Sequence, residues 1–169
     1  MSSHANRGIK IEFHGSLNLP VSDEFIKQMG LQEFGPVQKV VDSECIRLME
    51  EYMPRRNGLL IKDLILSNAG RIGSGVIVEN SPHAHYLYEG IVYIDPVLKC
   101  AGFIPTTGPY AGQWLSRKNV TKVPSNRQLE YAGAPKRGKK WFKRMAADHK
   151  EDILKKAQEA ANREVIRNR

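Results

Sequence analysis

The feature that most constrains the fold is a long stretch, residues 96–140, that lacks the apolar periodicity of a helix or a strand. It is rich in Gly, Pro, Thr, Ser and basic residues, and its apolar side chains are scattered. Ordered loops longer than about 15 residues are uncommon inside a compact domain. We therefore predict that 96–140 is a long extended arm, with at most a short pairing of 120–123 with 128–131. The core must come from the residues on either side of it.

Residues 36–95 carry the pattern of this core. From Pro36 onward, apolar residues recur at three- and four-residue spacing, which predicts a helix over 36–52 with one apolar face. Pro36 suits the first turn of the helix, and Pro54 stops it. The predicted apolar face consists of Val37, Val40, Val41, Cys45 or Ile46, Leu48, Met49 and Tyr52.

Short apolar runs predict a small antiparallel sheet packed against this helix. Residues 8–13 alternate between apolar and polar side chains, and 76–80 and 91–95 are β-branched runs of strand length. The run 59–66 fits either a helical turn or a strand, because periodicity alone does not distinguish the two. As a strand, it would pair antiparallel with 76–80 across the glycine-rich turn between them.

Two short helices accompany the sheet. One is predicted near Asp23–Met29, inside a linker that contains proline and glycine. The other covers 83–88 and ends at Gly90, with Ser81 as its N-cap and Pro82 at its first position.

After the arm, the sequence predicts a basic amphipathic helix over 141–165, with charged residues on its outer faces. A chain of 169 residues has the size of one domain, and 41% apolar residues are enough to fill its core. We predict an α+β fold of four parts: an N-terminal strand and linker (1–35), an α+β core (36–95), the extended arm (96–140) and a C-terminal basic helix (141–169). The apolar stripe of the last helix is Trp141, Phe142, Met145, Ile153, Leu154 and Ala157.

The net charge of +8 is distributed unevenly. Residues 1–114 carry 10 Lys/Arg and 12 Asp/Glu, whereas residues 115–169 carry 16 Lys/Arg and 6 Asp/Glu. The last third of the chain therefore holds all the excess positive charge. Such asymmetry indicates either a polyanionic neighbour, such as nucleic acid or an acidic protein surface, or a solvated basic helix that aids solubility.

No motif in the sequence predicts catalysis or a bound cofactor. Residues 133–140 approach the phosphate-loop pattern, but Lys140 stands where a Ser or Thr is needed for magnesium, and no buried strand precedes them. They are better interpreted as a flexible basic segment. His83 and His85 lack a third ligand at a sensible spacing, so surface or packing roles are favoured over a metal site.

The two cysteines make neither a disulfide framework nor a zinc cluster. Cys45 lies on the apolar face of the first long helix, which favours an inert buried thiol, and Cys100 has no His–Asp context. No apolar run approaches the roughly 20 residues of a membrane span, and no secretion signal follows the first residues. We expect a cytosolic, soluble protein that is not an enzyme and uses no cofactor or metal.

Several motifs occur in a recognisable order. Residues 54–60 read Pro-Arg-Arg-Asn-Gly-Leu-Leu, and 75–90 run from a short strand through Asn-Ser-Pro-His-Ala into an aromatic-rich turn that ends in Glu-Gly. A Gly-x-Pro and then Lys-Trp-Phe follow within 133–142, before the last helix. Over about residues 36–165 this order resembles the small minor-capsid or neck proteins of tailed bacteriophages, with His83 in place of the usual Tyr.

The resemblance implies a structural role rather than an enzymatic one. Proteins of this family are connector, stopper or tail-completion subunits that form a ring at the head-to-tail junction, between portal-side and tail-side proteins. This chain would then reside in the neck of the virion, and in the host cytoplasm during assembly. An arm that reaches a neighbouring subunit would explain the irregular stretch, because its apolar anchors would be buried in a partner. The predicted anchors are Phe103, Ile104, Tyr110 and Trp114.

The basic residues around the start of the last helix are the second predicted contact. Positive charge at a helix N-terminus opposes the helix dipole, so the placement favours an external anion, either DNA in the lumen of the ring or an acidic neighbouring protein. The residues are Lys136, Arg137, Lys139, Lys140, Lys143 and Arg144.

The alternative hypothesis is a free-standing nucleic-acid-binding protein. It requires aromatic side chains interleaved with the basic ones for base stacking, and Tyr131, Trp141 and Phe142 partly meet that requirement. No recognition motif accompanies them, so this hypothesis ranks second. A small toxin-type nuclease is disfavoured because no plausible acid–base pair is present.

Overall fold

The computed structural model describes residues 9–12 and 22–168, with side chains from residue 22 onward. The predictions for residues 1–8 and 13–21, at the ends of the first strand and in the linker, lie outside the described residues. The described chain has the predicted α+β fold. Its elements are β1 (Ile9–Glu12), α1 (Asp23–Gln28), α2 (Pro36–Met49), α3 (Leu59–Asn68), β2 (Val76–Glu79), α4 (Ala84–Glu89), β3 (Ile91–Ile94), β4 (Val123–Gln128) and α5 (Trp141–Arg167).

Helices α2 and α5 pack along each other and form the framework of the domain. Gly35 caps α2 and Pro36 occupies its first turn, where the missing N–H costs nothing. Val37 packs with Ala160 and Ala161 near the end of α5, whereas the Tyr52 hydroxyl, just beyond α2, donates to Asp148 near the start of α5 at 2.7 Å. The two helices are therefore antiparallel.

The run 59–66 is helical, so its predicted pairing with 76–80 is wrong. The Asn57 side-chain oxygen accepts a hydrogen bond from the Leu59 N–H at 3.2 Å and starts the helix locally. The partner of β2 is instead β1, antiparallel, from more than sixty residues upstream. One side of α3 is buried in the core through Leu60, Ile61 and Leu64.

Asn68, at the end of α3, attaches that helix to β2. Its amide nitrogen donates to the carbonyl oxygens of Leu64 and Val78, both at 2.7 Å, and its oxygen accepts from the Val78 N–H at 2.9 Å. Asn68 is buried, and these bonds satisfy its amide on both sides. One side chain thereby holds helix and strand in register.

A buried carboxylate organises the glycine-rich turn between α3 and β2. Asp42 of α2 accepts hydrogen bonds from the backbone N–H groups of Gly73 at 2.7 Å and Gly75 at 3.1 Å, and from the Gln38 amide at 2.7 Å. Gly73 has φ of 105°, and a Cβ there would lie 2.8 Å from the Cα of Phe34, so no larger residue fits. The turn predicted from its glycines is thus built onto α2.

A second two-stranded sheet lies downstream. The predicted pairing of 120–123 with 128–131 is wrong, because β4 is a single strand and pairs antiparallel with β3. The Ser125 hydroxyl strengthens this pairing by donating to the Val92 carbonyl at 2.6 Å. The long stretch after residue 95 is therefore anchored by a long-range pairing to the core.

Helix α4 ends at Gly90 as predicted, but it begins later than expected. Its N-cap is His83, with no side-chain hydrogen bond, rather than Ser81. The Ser81 carbonyl instead accepts from the Ala84 N–H at 3.0 Å and closes a turn ahead of the helix.

The main core lies where α2, α3, α4, β2 and the start of α5 meet. Trp141 is buried there with its ring edge-on to Tyr88, the ring centres 4.8 Å apart. Within the described ranges, no helix combines the length and apolar character needed to cross a membrane. The most deeply buried apolar side chains of this core are Cys45, Met49, Met53, Leu64, Ile77, Ala84, Trp141 and Met145.

Candidate interaction site: an apolar hairpin and a basic segment

Residues 96–116, which follow β3, form a hairpin whose two ends are joined by an ion pair. The guanidinium of Arg117 donates to both oxygens of Asp95, Nε to Oδ2 at 2.6 Å and Nη2 to Oδ1 at 2.7 Å. Asp95 also accepts from the N–H groups of Val97 at 2.8 Å and Leu98 at 3.0 Å. The hydrogen bonds from Arg117 above all hold the pKa of Asp95 well below its usual range. The base of the hairpin is therefore closed by a bidentate pair at neutral pH.

Further contacts order the hairpin above this base. Phe103 and Leu115 exchange two backbone hydrogen bonds, at 2.9 and 2.8 Å. The Trp114 ring lies against Gly102, where a Cβ would come within 2.3 Å of it. Lys122 donates to the Ala101 carbonyl, and its ammonium lies 5.4 Å from the centre of the Trp114 ring. Residues 96–122 have little regular secondary structure, as predicted, but these contacts give the hairpin a defined shape.

The surface of the hairpin is apolar and exposed. No charged residue lies between Lys99 and Arg117. At about 200 Å² for each complete side chain, the exposed fractions below sum to about 600–700 Å² of surface. Single exposed apolar side chains are ordinary on a monomer, but six of them within residues 97–114 concentrate apolar surface in one segment. The contributing side chains, with their exposed fractions, are Val97 (71%), Leu98 (45%), Phe103 (41%), Ile104 (58%), Tyr110 (58%) and Trp114 (61%).

All four predicted arm residues, Phe103, Ile104, Tyr110 and Trp114, are among these exposed side chains. Their contact with a second subunit stays a prediction. Val97 and Leu98, which sequence reasoning did not single out, belong to the same surface. Their signal was present in the sequence as two adjacent apolar residues beside a segment without charge.

The predicted basic residues have mostly internal partners. Arg137 donates to the carbonyl oxygens of Glu50 at 2.9 Å and Met53 at 2.7 Å, just beyond α2, where a cation is favourable. Lys136 pairs with the carboxylate of Glu51. Arg144 donates at 2.6 Å to the carbonyl oxygens of residues 135 and 136, within the same segment.

The remaining three lysines differ among themselves. Lys140 donates to both carboxylate oxygens of Glu89 at 2.6 Å, and Lys139 donates to the Gln128 side-chain oxygen at 2.9 Å. Lys143 is exposed, and its ammonium has no hydrogen bond or ion pair within the part of the chain that the structure describes. Four of the six predicted cations therefore tie residues 136–144 to the domain, Arg144 bonds within the segment, and Lys143 is left facing solvent.

The cysteine and histidine candidates lie in environments that favour a packing role. Burial raises the pKa of the Cys45 thiol to about 12, which keeps it neutral and unreactive. The His85 ring packs edge-on against Tyr86 and Tyr93, with ring centres 5.6 and 6.3 Å away. Among residues 9–12 and 22–168, no three His, Cys, Asp or Glu side chains are arranged to hold a metal ion.

The structure also exposes a surface that the sequence did not assign, the outer side of α3. Leu59, Ile65 and Leu66 are 51–63% exposed there. Six of the first eight residues of α3 are apolar, which is more than one buried side of a helix needs, and that was the available signal. The sequence analysis did not identify this exposed surface, because it could not distinguish a helix from a strand over 59–66.

Comparison of the chain with protein-family models, with curated protein sequences and with solved structures found no match. The functional interpretation therefore depends on the surfaces described above and on the order of the sequence motifs.

Proposed function

We propose that this protein is a structural subunit of the head-to-tail junction of a tailed bacteriophage, assembled as a ring that joins the DNA-filled capsid to the tail. The observation that carries the proposal is the exposed apolar hairpin. A monomer gains nothing from holding about 600–700 Å² of apolar surface in water. Burial of that surface against a neighbouring subunit would remove it from water and stabilise the assembly.

The hairpin is preorganised for such a contact. The Asp95–Arg117 pair fixes its base, and the Trp114 ring is already positioned against Gly102. Little conformational entropy is then lost on docking, which favours affinity. One partner of a standard interface contributes about 800 Å², so the hairpin alone supplies most of one side. Its large aromatic side chains are the kind that dominate binding energy at interfaces.

The basic C-terminal third has a role in the same assembly. Because most cations of the 136–144 segment are paired internally, the free charge is carried by exposed lysines such as Lys143 and Lys150 on α5. In a ring, we place this face toward the DNA or toward an acidic neighbouring ring. Such contacts are non-specific and weaken as salt rises.

The aromatic rings beside the basic segment, on which the nucleic-acid-binding alternative rests, are not free for base stacking. Base stacking needs accessible aromatic rings, but Trp141 is 1% exposed and packs under Tyr88. Tyr131 is half-buried and donates to the Leu87 carbonyl. The rings nearest to the basic segment therefore serve the fold.

The proposal is tested by measuring the molar mass of the purified chain across a concentration series with light scattering. We expect the wild type to form a closed oligomer of fixed size and Trp114→Glu to remain monomeric. Ile166→Glu is the matched control, because Ile166 is 73% exposed but lies at the end of α5, and it should assemble normally. A wild type that stays monomeric and retards DNA in a gel would contradict the proposal and support the nucleic-acid-binding alternative.

A further inference from the structure

The outer side of α3 has the properties of a binding surface. Its exposed side chains Leu59, Ile65 and Leu66 lie opposite the buried side of the same helix. Their exposed fractions correspond to about 300–350 Å² of apolar surface, at about 200 Å² for each complete side chain. We call these three residues the α3 face.

A depression lies beside the α3 face. It runs between α3 and the segment that follows α2, has a volume of about 220 Å³, and is open to solvent. It is lined by the apolar side chains of Ile61, Ile65 and Leu66, by Gly58, and by three charged residues, Glu50, Arg55 and Lys62. A cavity of about 150 Å³ is enough to hold benzene, so this depression has room for an aromatic side chain.

We infer that the α3 face is the site on which the hairpin of a second copy of this chain docks, an inference that rests on the proposed ring. The two surfaces are complementary, because the hairpin exposes the aromatic rings of Tyr110 and Trp114 and the α3 face adjoins a recess of ring size. Together they offer about 1,000 Å² of apolar surface, which is what a specific interface needs. A contact between two different patches of identical chains is heterologous, and repeated heterologous contacts form a ring when the rotation between neighbours closes and an open filament when it does not.

The heterologous contact makes a prediction that no symmetric contact makes. A chain with a defective hairpin still has an intact α3 face, and a chain with a defective α3 face still has an intact hairpin. When the two variants are mixed, the intact hairpin of one can dock on the intact α3 face of the other. The remaining hairpin and the remaining α3 face are both defective, so no second contact forms. The mixture should therefore stop at a 1:1 dimer.

The test uses Trp114→Glu and Leu66→Glu in the full chain. Both side chains are more than 60% exposed, so the substitutions should leave the fold intact, which circular dichroism and the melting temperature check. Ile65→Glu, at a side chain 51% exposed, is the second α3 variant should Leu66→Glu not fold. Each variant alone should weaken self-association at least about 30-fold, because a charge then enters the centre of an apolar contact.

The expected result is an oligomer for the wild type, monomers for each variant alone, and a dimer for the mixture by light scattering. If the α3 variants assemble as well as the wild type while Trp114→Glu does not, the inference is overturned and the ring proposal stands. If both variants are monomeric and their mixture stays monomeric, the heterologous contact is overturned. A monomeric wild type overturns the inference and the proposed function together.

Discussion

Replacing Glu79 by glutamine should change how the stability of this protein depends on pH. Glu79 is the last residue of β2 and is 2% exposed. One carboxylate oxygen accepts from the Ser81 N–H at 2.8 Å, and the other has no hydrogen-bond partner among the described residues. Burial is the main cause that raises the pKa of Glu79 to about 7, and the negative charge of Asp63 adds to it.

The direction of the effect follows from the two protonation states. Below pH 4.5 the carboxyl is neutral in both the folded and the unfolded chain, and its contribution to stability is fully present. Between pH 4.5 and 7 the unfolded chain ionises first, so the free energy of unfolding falls as pH rises through the folded pKa. A pKa displaced from 4.5 to about 7 corresponds to a loss of about 3 kcal/mol.

The assay is urea unfolding of the wild type and Glu79→Gln at several pH values from 4.5 to 8. Glutamine keeps an acceptor for Ser81 but does not titrate, so the wild type should lose about 3 kcal/mol relative to the variant across this range. Glu159→Gln, at an exposed position on α5, is the control and should follow the wild type. If the free energies of unfolding of the wild type and Glu79→Gln change with pH in parallel, the reasoning is refuted.

Three further changes test other parts of the structure. Leu48→Asp should destabilise the chain by about 4 kcal/mol or more and leave it insoluble, because it buries an unpaired charge in the core, and a soluble folded variant would contradict the assignment of the α2 face. The hairpin tip beyond the Phe103–Leu115 bridge, residues 104–113, should be cut by protease in the isolated subunit and protected in assembled particles, whereas equal protection in both would count against an inter-subunit arm. Lys140→Gln should lower the free energy of unfolding by about 0.5–1 kcal/mol, measured by thermal unfolding, through loss of an ion pair whose side chains are about one third exposed. Lys143→Gln should leave stability unchanged and reduce DNA retention or assembly as salt rises, and identical behaviour at every salt concentration would show that Lys143 is only solvated.

The helical framework was predictable because its signals are local. Apolar spacing and two prolines located α2, although the helix ends at Met49 rather than at residue 52. The start of α5 at Trp141 followed from its apolar stripe in the same way. In both helices most of the residues that define the apolar pattern are buried, but Leu154, which was predicted on the stripe of α5, is 52% exposed, and Ala160 and Ala161 are buried instead.

The pairing of the strands and the internal partners of the basic residues were not predictable, because the residues that determine them are distant in sequence. The pairing of β1 with β2 joins residues 9–12 to 76–79, and no local pattern encodes that choice over 59–66. Likewise, the charges around Lys140 could be counted, but their internal partner Glu89 lies 51 residues away. The helix dipole predicted an external anion for these six cations, but five of them have partners in the chain: Lys136 and Lys140 bond carboxylates, and the other three bond neutral carbonyl or amide oxygens.

The attachment of Asn68 to Val78 has a consequence for aggregation. Along a strand, the N–H and C=O groups of one residue point to one edge, and those of the next residue point to the other edge. Asn68 bonds both groups of Val78, so its amide occupies the edge of β2 that faces away from β1. An open strand edge is a template on which a foreign strand can add, and proteins commonly block such edges. Here one asparagine side chain blocks it at its centre. A foreign strand would have to break two hydrogen bonds of a buried amide to pair there, so growth of a fibril from this edge is disfavoured.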